Sequence, residues 1–316
     1  MAYKMYHSLP SSLRTKIIMA LVHLAILQLT LLCVVEASIV NTNTMPLAKD
    51  GCEDHCGNVS IPYPFGTREG CYINDGFLIT CDHTYNPPLA FLREGNISLT
   101  DIWLWGEMRI YAFVANDCYN ETGGSVYKNH PWIGLVNFQI SNTRNKFMTI
   151  GCDTYAVIEG SRGTNYETGC MSLCDSTNDV VEGSCSGIGC CETAIPRGVL
   201  GFNIIVSSYY NHTRVWGFNP CSYAFVAEEG TYNFSTQDLQ IFMGDHKMPM
   251  VLNWAIGDQN CSEAKKGLES YVCMANSECH DSNNGPGYRC SCSKGYQGNP
   301  YLKDGCQGCH FTWNYC

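Results

Sequence analysis

Short segments in which apolar and polar residues alternate recur between Cys81 and Cys152 and again after Gly201. They are rich in β-branched and aromatic residues and are bounded by Asn, Gly, Asp and Pro, a pattern typical of β-strands. Between Cys81 and Cys152, no long stretch shows the 3.6-residue period of an amphipathic helix. We therefore expect an all-β fold with strands at 96–99, 101–104, 108–114, 132–140, 146–150, 202–206 and 223–227.

A different pattern occupies Ile61–Phe65, where Pro62 and Pro64 alternate with apolar side chains. Proline fixes φ at about −65° and keeps the preceding residue out of the helical region, so this ribbon must be extended. Four cysteines surround the ribbon and predict that disulfides anchor it on both sides: Cys52, Cys56, Cys71 and Cys81. The ribbon is either an ordinary disulfide-stapled edge strand or part of a binding surface.

The N-terminal segment 1–37 predicts a targeting signal rather than part of the fold. Basic residues precede the apolar run Ile17–Val35, and Val-Glu-Ala offers a cleavage site before Ser38. The run is also just long enough to span a bilayer, so an uncleaved anchor is the less favoured alternative. In both cases we expect the rest of the chain to be extracellular.

Cysteine and sequon content agree with export. Of the 21 cysteines, Cys33 lies in the predicted signal, which leaves 20, an even number that suits disulfides formed in an oxidising compartment. We therefore expect a disulfide-rich protein without a metal or cofactor. Six N-x-S/T sequons predict glycosylation at the surface: Asn58, Asn96, Asn120, Asn211, Asn233 and Asn260.

The charge balance limits the possible partners. Without the predicted signal, the 19 basic residues fall to 16 and the 29 acidic residues fall to 28, a net charge of −12. Nucleic acid is excluded as a partner, because neutralising phosphates requires a basic face. An anionic ligand of any kind would need a local basic patch.

One motif carries a resemblance to a known family. The string C-x-x-x-C-G-x-V-x-I-P-Y-P-F-G, from Cys52 to Gly66, resembles the galacturonan-binding module at the N-terminus of plant wall-associated receptor kinases. The run Gly187–Pro196, which contains two adjacent cysteines, resembles the cysteine-rich region that follows that module. The spacing C-x11-C-x5-C-x10-C-x-C-x13-C, beginning at Cys261, resembles an epidermal-growth-factor-like (EGF-like) repeat.

The resemblance implies a division into modules and a set of disulfides. Two small β-rich modules, 50–155 and 156–256, precede an EGF-like repeat at 257–306 and an unmatched tail at 307–316. In the repeat it implies the pairs Cys261–Cys279, Cys273–Cys290 and Cys292–Cys306, whereas spacing alone allows fifteen pairings. The remaining structural cysteines, besides the four around the ribbon, are Cys118, Cys152, Cys170, Cys174, Cys185, Cys190, Cys191 and Cys221. The residues that precede Cys261 differ from those of calcium-binding EGF-like repeats, so we expect no calcium at this repeat.

The function implied by the resemblance is binding of pectic galacturonan in the cell wall or at the outer face of the plasma membrane. The sequence has no kinase motifs, no G-x-S-x-G elbow and no H-E-x-x-H, so we expect no enzymatic activity. Two alternatives stay open. The EGF-like repeat could associate or compete with full-length wall-associated receptors, or the chain could be a structural wall glycoprotein.

Uronate binding calls for cations to pair with carboxylates and for flat rings to cover sugar faces. The candidate cations in the first module are Arg68, Arg93, Arg109, Lys128, Arg144 and Lys146. The candidate rings are Tyr63, Phe65, Trp103, Trp105 and Trp132. If ion pairs dominate, de-esterified galacturonan should bind more tightly than methyl-esterified galacturonan, and salt should weaken the complex.

Overall fold

The computed structural model describes residues 45–161, 165–241, 244–267 and 271–309, with scattered positions between 10 and 28. Residues 1–45 and 46–316 form separate compact units. The cleavage site predicted before Ser38, and the tail after residue 309, lie outside the described residues. Among the described residues, no helix is long and apolar enough to cross a membrane.

The second unit is built almost entirely from strands, which confirms the all-β prediction. In chain order the strands are β1 His55–Cys56, β2 Val59–Ser60, β3 Ile79–Asp82, β4 Leu89–Leu92, β5 Ser98–Trp103, β6 Glu107–Phe113, β7 Ala115–Tyr119, β8 Ser125–Asn129, β9 Trp132–Gly134, β10 Phe138–Ile140, β11 Asn145–Gly151, β12 Asp153–Ser161, β13 Asn165–Leu173, β14 Gly189–Ala194, β15 Gly201–Ser207, β16 Cys221–Glu228, β17 Lys247–Trp254, β18 Ser277–Asp281, β19 Tyr288–Cys292, β20 Tyr296–Gly298 and β21 Cys306–Gly308. Short 3-10 turns lie at Asp75–Phe77, Thr177–Asp179 and Thr236–Leu239, and a one-turn α-helix lies at Cys261–Ala264.

Three antiparallel sheets make up most of the unit. They have the strand orders β10-β17-β6-β5-β4-β3, β14-β11-β16-β7-β8 and β13-β12-β15-β9. Strand β16 pairs with both β7 and β11, and β17 pairs with β6, so late strands complete sheets that early strands begin. The module boundary expected near residue 155 therefore does not coincide with a break between sheets.

The Ile61–Phe65 ribbon crosses the larger of two core clusters. The Phe65 ring lies 4.9 Å from the Phe77 ring and 5.3 Å from the Trp254 ring, centroid to centroid. The same cluster includes Tyr288 and Tyr301, which belong to the C-terminal repeat. One hydrophobic core is thus shared by segments that the sequence assigns to different modules.

Nine disulfides join eighteen of the described cysteines. They are Cys52–Cys71, Cys56–Cys81, Cys118–Cys221, Cys152–Cys174, Cys170–Cys191, Cys185–Cys190, Cys261–Cys279, Cys273–Cys290 and Cys292–Cys306. The last three are the pairs that the resemblance implies for the repeat. The adjacent cysteines at 190 and 191 bond to different partners, since adjacent cysteines cannot easily bond each other.

Candidate functional site

The turn between β5 and β6 presents two stacked tryptophans. The rings of Trp103 and Trp105 are 5.3 Å apart with 14° between their planes. Trp105 is 57% exposed, and its indole Nε1 donates to the Glu107 carboxylate at 3.0 Å. Gly106 has φ +98°, and a Cβ there would overlap the side chain of Arg289, which donates to the Trp105 carbonyl. The turn thus holds an exposed indole in a fixed orientation.

A charged network lies beside this turn and brings together two of the predicted cations. Arg109 pairs with Glu228 at 2.7 Å (Nε to Oε2) and with Asp101 at 3.0 Å (Nη1 to Oδ2). Arg144 pairs with Glu107 at 2.9 Å (Nη1 to Oε2) and with Glu228 at 2.6 Å (Nη2 to Oε1). Three carboxylates therefore surround two guanidinium groups.

The electrostatics of Glu228 show that these ion pairs serve the fold. Its side chain is buried at the end of β16, and burial alone would raise its pKa. Hydrogen bonds and charges from Arg109 and Arg144 outweigh that effect and hold the pKa of the carboxyl below its ordinary value. The Arg109 guanidinium also lies 4.9 Å from the Trp103 ring centroid. Both arginines are committed to internal carboxylates and are poor partners for a ligand.

Two lysines among the candidates are also paired. The Lys128 Nζ lies 3.0 Å from an oxygen of Asp117, which is buried, and the Lys146 Nζ lies 3.8 Å from an oxygen of Glu229. Four of the six predicted cations thus have a carboxylate partner in the same chain.

The remaining two, Arg68 and Arg93, are exposed and form no ion pair with any residue that the structure describes. Arg68 donates to the carbonyl of Gly51. Arg93 follows β4 and lines a cleft of about 570 Å³ that also contains Glu94. Since β4 and β5 are antiparallel, Arg93 lies just before the start of β5 and Trp103 at its end, about 23 Å apart along the strand direction.

Two of the predicted ring platforms are corrected by the structure. Tyr63 is 8% exposed and Phe65 is 0% exposed, so neither ring can cover a sugar face. Both rings are buried because they alternate in register with Ile61. All three side chains therefore point to the same side of the ribbon and pack in the core. By contrast, Trp132 on β9 is 78% exposed and lies beside a broad groove that also contains Glu159 and Glu167.

A cleft of about 790 Å³, which we call the amide cleft, was not predicted. Its polar lining consists of Asn74, Asn137, Gln139, Arg197, Asp258 and Asn284. These residues come from all three sequence modules, and no motif links them. Only the fold brings them together, so the sequence alone does not predict this cleft.

The six sequon asparagines are all exposed, as glycosylation requires. Within the described ranges, no group of three or more His, Cys, Asp or Glu side chains is placed to hold a metal ion.

Comparison with known proteins places these surfaces in context. Residues 52–111 match a family described as wall-associated receptor kinase galacturonan-binding. Wall-associated receptor kinase 2 of Arabidopsis thaliana is 39% identical over 260 residues, which is 81% of this chain and 34% of that protein. Wall-associated receptor kinase 5 is 38% identical over 264 residues, or 82% of this chain and 34% of that protein. The chain thus spans about a third of the length of these relatives, and no solved structure matches it.

Proposed function

We propose that this chain, which is homologous to the extracellular region of wall-associated receptor kinases, binds pectic galacturonan of the cell wall. The observation that carries the proposal is the position of Trp105. It is the most exposed large aromatic side chain described within residues 52–111, the range that matches the galacturonan-binding family. The homology also indicates an extracellular location at the cell wall.

The Trp105 indole is suited to cover the face of a sugar ring. An aromatic ring adds a large contact area while losing little side-chain entropy. Its orientation is already fixed by stacking on Trp103 and by the bond to Glu107, which lowers the entropic cost of binding. Carboxylates of the ligand would meet Arg68 and Arg93, the two candidate cations that form no ion pair with the described residues.

The distribution of charge predicts a modest ionic contribution. Since four of the six candidate cations already pair with carboxylates of the same chain, a long chain of uronates would meet few cations that are available to it. We therefore expect stacking to supply most of the affinity and the two arginines to supply a preference for free carboxylates. No catalytic step belongs to this proposal.

A pectin series of graded methyl-esterification, immobilised and probed with the full-length secreted chain, tests the proposal. We expect saturable binding to every galacturonan, a severalfold preference for the de-esterified forms, and a partial loss at high salt. No binding to any member of the series, with binding instead to purified wall receptors, would contradict it. Association with receptors through the EGF-like repeat stays a prediction.

A further inference from the structure

The amide cleft has a buried polar floor and an exposed mouth. Gln139 and Asn284 lie in its floor, and Gln139 is only 6% exposed. Asn137, Arg197 and Asp258 are exposed at its mouth. Buried amides beneath open charged groups are the arrangement of a ligand site rather than of a packing defect.

The two floor amides differ in their hydrogen bonds. Asn284 donates from Nδ2 to the Ile140 carbonyl at 2.9 Å and to Asn253 Oδ1 at 2.8 Å, and its Oδ1 accepts from the Gly198 amide at 2.9 Å. Gln139 Oε1 is buried and has no hydrogen-bond partner among the described residues. Buried polar atoms are nearly always bonded, so an orphan in a cleft indicates a missing partner.

Two glycines allow the amides to occupy these positions. A Cβ at Gly285 would lie 2.9 Å from Cδ of Gln139, and a Cβ at Gly76 would overlap Nδ2 of Asn137. Larger residues would push both amides out of place. The backbone is therefore shaped around the cleft.

We propose that the amide cleft is a second saccharide site, which takes one uronate sugar residue. Amide groups both donate and accept, so Gln139 and Asn137 match sugar hydroxyls, which also do both. Arg197 at the mouth would pair with the sugar carboxylate, while Asp258 would accept from a hydroxyl. The volume of about 790 Å³ admits one or two sugar rings. The choice of a uronate rests on the proposed function. The cleft lies mostly outside residues 52–111, since Asn74 is the one residue of its polar lining within that range.

Calorimetric titration of the full-length secreted chain with galacturonic acid, digalacturonate and neutral galactose tests this site. We expect Gln139→Met to weaken all three sugars at least tenfold. Its melting temperature should be unchanged or higher, because the variant removes a buried orphan. Arg197→Gln should weaken the two acidic sugars at least tenfold and leave galactose within twofold. Arg214→Gln, an exposed arginine stacked on Tyr210, is the matched control and should change nothing.

The outcomes separate this proposal from the previous one. If pectin binds while the small sugars bind equally well to wild type and to Gln139→Met and Arg197→Gln, or do not bind at all, the cleft is not a saccharide site and the proposed function stands. If the small sugars bind through the cleft while pectin does not bind, the cleft is a saccharide site and the proposed function fails. Should Gln139→Met fail to fold, Asn137→Ala at the exposed mouth replaces it, and unchanged sugar affinity in that variant and in Arg197→Gln would overturn the proposal.

Discussion

The Ile61–Phe65 ribbon and the Trp103–Trp105 turn both lie in the residues that match the galacturonan-binding family, and both are rich in aromatic side chains. The ribbon is buried, and the turn holds an exposed indole. The Pro-rich motif, the most distinctive stretch of this region, therefore belongs to the core of the protein. The side chains best placed to meet a ligand occupy a less distinctive stretch.

The contacts of the ribbon explain its burial. The Ile61 amide donates to the Asp54 carbonyl at 2.7 Å, and the Tyr63 amide donates to the Leu47 carbonyl at 2.8 Å. Asn299, from the C-terminal repeat, donates from Nδ2 to the Tyr63 carbonyl at 2.7 Å. The ribbon therefore links segments from the two ends of the unit, and its side chains are buried between them.

The largest expected effect comes from truncating the ribbon. Phe65→Ala removes a ring at the centre of the aromatic cluster and should lower the free energy of unfolding by about 3–5 kcal/mol. Urea denaturation followed by tryptophan fluorescence measures this. Phe113→Ala, at an exposed position on β6, is the matched control and should change stability by less than about 0.5 kcal/mol. Equal losses in both variants would contradict the assignment of the ribbon to the core.

The next effect concerns Glu228, whose carboxylate pairs with Arg109 and Arg144. Glu228→Gln should lower stability by about 1–3 kcal/mol, since both arginines are partly solvated and the loss is screened. It should also strengthen binding to de-esterified galacturonan, because two guanidinium groups lose a charged partner. Denaturation and pectin binding, measured on the same preparation, test whether stability falls while affinity for de-esterified galacturonan rises.

The pH dependence of that variant follows from linkage. The pKa of Glu228 is lowered in the folded state, so the unfolded chain takes up the proton first as the pH falls. The stabilisation is therefore complete above the unfolded pKa of about 4.3 and is lost as the pH falls through the folded value. The stability difference between wild type and Glu228→Gln should be constant from pH 7 to pH 5 and shrink below about pH 4. A difference that shrinks already between pH 7 and pH 6 would contradict this.

Trp105→Ala should weaken galacturonan binding about tenfold, an effect typical of an exposed aromatic anchor, with little change in stability. Trp132→Ala is the matched control, because Trp132 is even more exposed but lies outside the matched residues. If the control loses affinity and Trp105→Ala does not, the binding surface lies at the groove beside β9 instead.

The smallest effects belong to the unpaired cations. Arg68→Ala and Arg93→Ala should each weaken binding to de-esterified galacturonan by about two- to threefold, because exposed ion pairs contribute little. The double variant should lose more than either, and its binding should no longer respond to salt. Lys146→Ala serves as the control, since its Nζ lies near the exposed carboxylate of Glu229. Undiminished salt dependence in the double variant would move the ionic contacts elsewhere.

Alternation and residue type predicted several strands closely. The prediction of 108–114 corresponds to β6, 146–150 to β11 and 223–227 to β16, each within two residues at either end. The stretch 132–140 failed as a single strand. It divides into β9 and β10, which pair with β15 and β17 in different sheets, and local sequence carries no information about that choice.

The candidate site was less predictable for the same reason. A cation can bind a ligand only if the fold places no carboxylate beside it. The carboxylate that pairs with Arg109 belongs to Glu228, 119 positions away in the sequence. Nothing near Arg109 in the sequence indicates that partner. The burial of Tyr63 and Phe65 could have been predicted, because Ile61 shares their alternation and has no role on a sugar-binding face.

The late completion of the sheets has a consequence for how the protein is made. During synthesis β6 is complete at residue 113, but its neighbour β17 does not begin until Lys247. Cys118 likewise has no disulfide partner until Cys221 has been made. Such distant pairings close slowly, so strand edges stay open and thiols stay unpaired until the later strands have been made. Until those strands arrive, the open edges can pair with other chains, so folding requires that the early strands be protected during that interval.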